Sequence, residues 1–155
     1  MELHPMLVHL PLGGLLLAGV GYALAWIKKD DFFLKAATLL HLAASVCLLP
    51  AIFSGRSAFS EINASPELKV LSNQHELLGY VCTWVFALLL VWRYLKPRLA
   101  RKEAALFTLA YFLGMGLIIW SAHLGGQMVY RHGAGTDLMQ APAVAPPSPA
   151  QSSSE

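Results

Sequence analysis

Six histidines stand in this 155-residue chain, and three of them, His9, His75 and His123, fall near the ends of long apolar stretches. An ionisable side chain at the edge of a membrane-spanning segment is costly, so it usually faces a partner, a cavity or a cofactor. Gly13 follows His9 by four residues, Gly79 follows His75 by four, and Gly116 precedes His123 by seven. Each glycine therefore lies below a histidine on one helical face. Nitrogen ligands beside missing side chains suit a flat, bulky cofactor, and haem fits an apolar helical interior that offers paired imidazoles. His75 and His123 are the first choice of axial ligands, because they stand on consecutive helices; His9 is the alternative. His4 and His132 flank that level from outside, and Arg56 and Arg131 are expected where haem propionates would emerge. No Cys-x-x-Cys-His attachment site is present, so the expected group is a non-covalent haem b.

Other readings of these residues remain open. Histidines at helix ends commonly sit in the wet interface, and glycines in membrane helices commonly form packing surfaces. On that reading the protein is a cofactor-free structural or accessory subunit. A zinc or copper site on His75, His123 and His9, with Glu76 or Met6, is a third option, although carboxylate and thiolate ligands are sparse. His41 lies about 18 Å from the outer end of its span, counted at 1.5 Å per residue. It reads as a deep ligand, a proton-relay group or a neutral histidine bonded to a backbone carbonyl, the last being the ordinary state of a lone buried imidazole. Cys47 and Cys82 sit at similar depths and read as small packing residues. No phosphate-binding loop, dinucleotide fingerprint, zincin motif or nucleophile elbow occurs.

The elements that must position these side chains are set by composition. Hydrophobic residues make up 56% of the chain and charged residues 13%, too apolar for an ordinary soluble domain. A spanning helix needs about 20 mostly apolar residues. Residues 6–27, 33–53, 75–95 and 104–124 meet that length and predict an all-α membrane protein, four transmembrane helices in an up-down-up-down bundle over residues 1–135. Lys28, Lys29, Lys35, Arg93, Lys96, Arg98, Arg101 and Lys102 flank the first and third connections, eight of the eleven basic residues. The positive-inside rule then puts those connections in the cytoplasm and both termini outside. A net charge of +2, confined to short connections, argues against a nucleic-acid partner.

Within that frame Pro5 suits a first helical turn, and Pro11 is expected to loosen the backbone near His9. Gly13, Gly14, Ala18, Gly21 and Ala25 give span one a narrow face for close helix contact. Ser54-Gly55 is expected to end span two, and Ser65-Pro66-Glu67 to open a short surface helix in a polar loop over 54–74. Span four is expected to leave the bilayer near His123, with 124–133 folding back along the interface. Residues 136–155, mostly Ala, Pro and Ser, predict a disordered tail.

The opening His4-Pro5-Met6-Leu7-Val8-His9-Leu10-Pro11 and the closing segment from His123 to Gly135 (HLGGQMVYRHGAG) resemble those of a family of bacterial four-span membrane proteins of unknown function. The match covers about residues 4 to 135 and carries His4, Pro5, His9 and Pro11, then Gly125, Gly126, Tyr130, Arg131, His132 and Gly133. The family also places a histidine at the head of span three, here His75. The loop SGRSAFSEI departs from the family's Gly-then-Asp pattern, so no acidic ligand is carried over there. The resemblance implies a four-helix membrane bundle, and the joining of similar domains to Rieske or cytochrome-type modules implies respiratory electron transfer. The reading is therefore a b-type haem protein of the bacterial inner membrane, more an electron carrier or accessory subunit than a stand-alone enzyme. Its expected partners are the lipid bilayer, a quinone or membrane dehydrogenase, an outer-side c-type cytochrome, and a second copy of the chain.

Overall fold

Helix ends are marked by residues suited to them. Ser65 caps the third helix by accepting from the Leu68 amide at 3.3 Å, with Pro66 in its first turn. Lys29, at φ 55°, closes the first helix, and the Asp30 carboxylate accepts from the Phe32 amide at 2.8 Å to open the second. Gly133, at φ 65°, stops the fourth, where a left-handed residue ends a helix at little cost. The computed structural model describes residues 3–60 and 65–136. Four helices result: α1 (Leu3–Lys28), α2 (Asp31–Ser60), α3 (Pro66–Leu95) and α4 (Arg101–His132), with no strand among the described residues. The expected tail lies beyond Thr136, outside the described residues.

All four helices are long and apolar enough to cross a membrane. They carry large apolar side chains on their outer faces too, Leu17, Leu39, Leu88 and Leu113 among them, as helices surrounded by lipid do. The helices overrun the apolar stretches from which they were predicted. α2 continues through Ser54-Gly55 to Ser60, α3 starts at Pro66 without a separate surface helix, and α4 runs unbroken to His132. Hydropathy marks the bilayer core, and a helix supported by its neighbours persists past it. Pro11 is likewise accommodated inside α1, buried, without a break.

The helices form a square in which α1 packs on α2, α2 on α3, α3 on α4 and α4 on α1. Lipid tails are as apolar as leucine, so burial alone gives membrane helices little reason to associate, and close backbone approach and interhelical hydrogen bonds matter more. The α1–α2 seam shows the first. A Cβ placed on Gly14 would stand 2.8 Å from Ala44 Cβ, and one on Gly21 would stand 2.9 Å from Ala37 Cβ. The two contacts are seven residues apart on both helices and define one antiparallel register. Gly19 makes the corresponding close approach to the Met115 sulfur of α4.

The middle of the bundle is aromatic and polar together. Tyr22, His41, Phe86, Phe107 and Tyr111 are buried and meet edge to face. Tyr22 donates to His41 Nδ1 at 3.2 Å, His41 Nε2 donates to the Phe86 carbonyl at 3.0 Å, and Tyr111 donates to the Leu15 carbonyl at 3.2 Å. Those bonds tie α1 to α2, α2 to α3 and α4 to α1. Interhelical hydrogen bonds in a membrane average about 0.6 kcal/mol, whereas a polar group left unpaired in hydrocarbon costs roughly 4–8 kcal/mol. The network's weight therefore lies in the penalty for disrupting it. Cys47 and Cys82 remain free thiols.

The seam predicts a contrast between neighbouring glycines. Gly14→Ala should lower the thermal stability of the detergent-solubilised protein, by about 1–3 kcal/mol as overpacking does. Gly13→Ala, where an added Cβ meets nothing within 4 Å, should leave it unchanged or slightly raised. Equal melting temperatures for the two variants would contradict the seam.

Candidate functional site

The α1–α2 register carries His4 to the outer part of α2. Its Nδ1 lies 3.0 Å from Ser54 Oγ, and a Cβ on Gly55 would stand 2.9 Å from His4 Cε1. A side chain at 55 would push that ring aside. Ser54 spends its own proton on the Ala51 carbonyl at 2.9 Å. Its oxygen therefore accepts, and the network assigns the His4 proton to Nδ1 and the lone pair to Nε2.

Across the bundle, α3 and α4 repeat the arrangement. His75 Nδ1 lies 2.8 Å from the Ser121 carbonyl and 3.3 Å from Ser121 Oγ. A carbonyl can only accept, so His75 also carries its proton on Nδ1 and its lone pair on Nε2. A Cβ on Gly125 would stand 3.2 Å from His75 Cε1. His4 and His75 then meet across the diagonal of the square, their ring centroids 6.5 Å apart and their planes near perpendicular at 83°. Each half of the site comprises a histidine, a serine that fixes its Nδ1 and a glycine that admits its ring. On the rim, Arg56 donates to the Tyr80 hydroxyl at 3.1 Å and pairs with Glu76 at 3.7 Å, and Tyr80 donates to Glu76 at 3.2 Å. That ion pair is exposed and screened by solvent, so the rim decorates the site rather than holding it together.

The expected ligand set is rearranged. His75 is present, but His123 is two residues from Ser121, about 200° around α4 at 3.6 residues per turn. It is exposed, bonded to Gln127 of its own helix at 2.7 Å and stacked against Trp120. One iron cannot be shared by His75 and His123 in this helical phase. His9 is also exposed, its ring bonded to the Pro5 carbonyl of its own helix, about 7.5 Å deeper than His4 along α1. The expected depths put His9 rather than His4 at the common level, because they were counted from the ends of apolar stretches that the helices overrun.

A Cβ added at Gly13, Gly79 or Gly116 would meet nothing within 4 Å, so the expected slot glycines face open space. Gly55 and Gly125 instead admit the rings of His4 and His75. Arg131 is exposed and His132 half-buried in the last turn of α4, about 10 Å beyond Gly125. His41 has both ring nitrogens engaged by Tyr22 and Phe86, and it presents no lone pair to a ligand.

The two open imidazoles have the form that metal ligation requires, since a ligating histidine donates its second ring nitrogen to a fixed acceptor that sets its tautomer and orientation. Among the described residues no group of three or more His, Cys, Asp or Glu side chains could hold a metal. A porphyrin supplies four of the iron's donors itself, so two imidazoles are the protein share that a haem needs. A tetrahedral zinc site needs three or four protein ligands. The donor set therefore fits a haem better than a bare metal ion.

Reactivity of the histidines tests this placement. Diethyl pyrocarbonate should modify exposed His9 and His123 several-fold faster than His41, with His4 and His75 between them, as read by mass spectrometry of the solubilised protein. Equal rates at His123 and His41 would contradict it.

No curated protein and no solved structure matches the chain. The family described as "Predicted membrane protein (DUF2231)" matches residues 1–138, which include every helix, the histidine pair, the serines and the glycines. The chain belongs to that family of predicted membrane proteins.

Proposed function

We propose that this is an electron carrier of the bacterial inner membrane that holds a non-covalent b-type haem between His4 and His75. The observation that carries this reading is the shared tautomer: both imidazoles are anchored through Nδ1, on Ser54 and Ser121, and both present Nε2 lone pairs. Bound there, haem supplies one-electron exchange. The chain's own residues bind, orient and shield. His4 and His75 would ligate it, Ser54 and the Ser121 carbonyl hold the ring planes, and Gly55 and Gly125 keep the helices close to the imidazoles. Arg56, on the rim, offers its charge to a propionate.

Charge asymmetry supports an orientation. Eight of the eleven basic residues lie in or beside the α1–α2 and α3–α4 connections, which supports a cytoplasmic side for them and an outer side for the histidine end. A haem at that end would exchange electrons between a quinone or membrane dehydrogenase and an outer-side c-type cytochrome.

Protein purified in mild detergent after expression with ample haem should show sharp α and Soret bands in a reduced-minus-oxidised spectrum. His4→Ala and His75→Ala should each lose most of the haem, while His123→Ala should keep it. Full haem in both of the first two variants would overturn the assignment. A colourless wild-type protein with stoichiometric partners would favour the cofactor-free accessory subunit instead.

A further inference from the structure

The outer face of α4 carries a second feature, independent of the His4–His75 pair. Leu109, Leu113, Gly116, Trp120, His123 and Gln127 follow one another at alternating intervals of four and three residues. Such spacing keeps one stripe facing one direction along the helix, as in the contact seam of a coiled coil. α4 packs on α3 and α1, and this stripe is turned away from both. Leu109, Leu113, Gly116, Trp120 and His123 are exposed, and a Cβ on Gly116 would meet nothing within 4 Å.

The stripe's outer end is polar and already ordered. Gln127 donates its amide to His123 Nε2 at 2.7 Å, and the Trp120 ring lies against the His123 ring with centroids 5.5 Å apart. An amide nitrogen only donates, so His123 Nε2 accepts and the neutral ring carries its proton on Nδ1. The pair therefore offers one donor, His123 Nδ1–H, and one acceptor, Gln127 Oε1, and neither meets another helix among the described residues. Polar side chains on membrane helices join helices by hydrogen bonds, and small residues let the backbones approach. Both occur on this one stripe.

We propose that two copies of the chain associate through this stripe, α4 against α4, about a two-fold axis along the membrane normal. Copies inserted in one orientation meet with the same residues at the same depth, so the contact is isologous and the face must complement itself. His123 with Gln127 meets that condition, because each copy supplies the donor that the other accepts. Helical side chains lean toward the N-terminus, so the Gln127 amide stands at the level of the His123 ring, as their own bond shows. A reciprocal pair of bonds then crosses the axis, from His123 Nδ1 of each copy to Gln127 Oε1 of the other. One turn further in, Gly116 leaves the hollow into which the Trp120 indole of the other copy fits. An unrelated protein would have to present a matching donor and acceptor at this depth; a second copy presents both by symmetry.

Energy transfer in lipid tests the association. Full-length protein carrying a donor or an acceptor dye at Arg98→Cys, in a Cys47→Ala/Cys82→Ala background, is reconstituted in phosphatidylcholine vesicles and diluted with further lipid. Transfer should exceed that of random proximity and fall with dilution along a monomer–dimer curve. Gly116→Leu should move the midpoint about tenfold or more toward higher protein density, and His123→Leu and Gln127→Leu each severalfold. Gly79→Leu, at an equally open glycine on α3, should leave the midpoint in place. Gly116→Leu puts its side chain into open space, so the variant should keep the wild-type melting temperature. His123 should become more reactive toward diethyl pyrocarbonate as lipid dilutes the protein, whereas His9 should not change. Transfer in the wild type no greater than random proximity would leave the stripe to lipid or to a different protein and overturn the proposal. A midpoint unmoved in both Gly116→Leu and Gln127→Leu would overturn it equally.

Discussion

The close approach of α1 to α2 is the constraint on which the rest of this structure depends. Gly14 against Ala44 and Gly21 against Ala37 bring two backbones nearly into contact, seven residues apart on each helix. In lipid there is no solvent to drive leucines together, so helices keep the register in which backbones come nearest. A slip of one residue would turn α1 by about 100°. It would bring side chains rather than glycines against Ala37 and Ala44, and would carry His4 away from Ser54 and Gly55. The seam near the basic end and the middle of the bundle thereby fixes chemistry at the other end.

Five of the six histidines then divide by what their second nitrogen meets. His41 is closed at both nitrogens and knits three helices through Tyr22 and the Phe86 carbonyl. His9 and His123 bond within their own helices and face outward. His4 and His75 alone pair across the diagonal, each with its Nδ1 committed and its Nε2 left over. A lone pair at a half-buried position has little structural use, and the proposed ligation rests on that rather than on depth in the membrane.

The architecture was legible in the sequence because membrane helices announce themselves by length and uniform apolarity. Their ends were less so. Ser54-Gly55 and Leu124-Gly125-Gly126 look like exits from the bilayer, yet they lie inside continuous helices whose support comes from neighbouring chains of contacts that hydropathy does not record. Those ends set the expected histidine level at His9 rather than His4, and they left the contacts of His4 with Ser54 and Gly55 and of His75 with Ser121 and Gly125 unread. His75, the first residue of the expected span 75–95, lies in the third turn of α3. His123 was chosen for its depth, although helical phase puts it on the far side of α4 from Ser121. The signal that could have found the pair was present in the glycines: Gly14 and Gly21 with Ala37 and Ala44 specify an antiparallel register, which continued outward sets His4 beside Ser54 and Gly55.

The pairing across the diagonal is the central claim, and thiol cross-linking measures it directly. The backbones of α1 and α3 stand too far apart for a disulfide, so a short bis-maleimide is the reagent. In a Cys47→Ala/Cys82→Ala background, the His4→Cys/His75→Cys variant should be bridged within one chain, detected by intact mass and peptide mapping. The His75→Cys/His123→Cys variant should remain unbridged. The reverse result, cross-linking of positions 75 and 123 with none between 4 and 75, would contradict the account of the site.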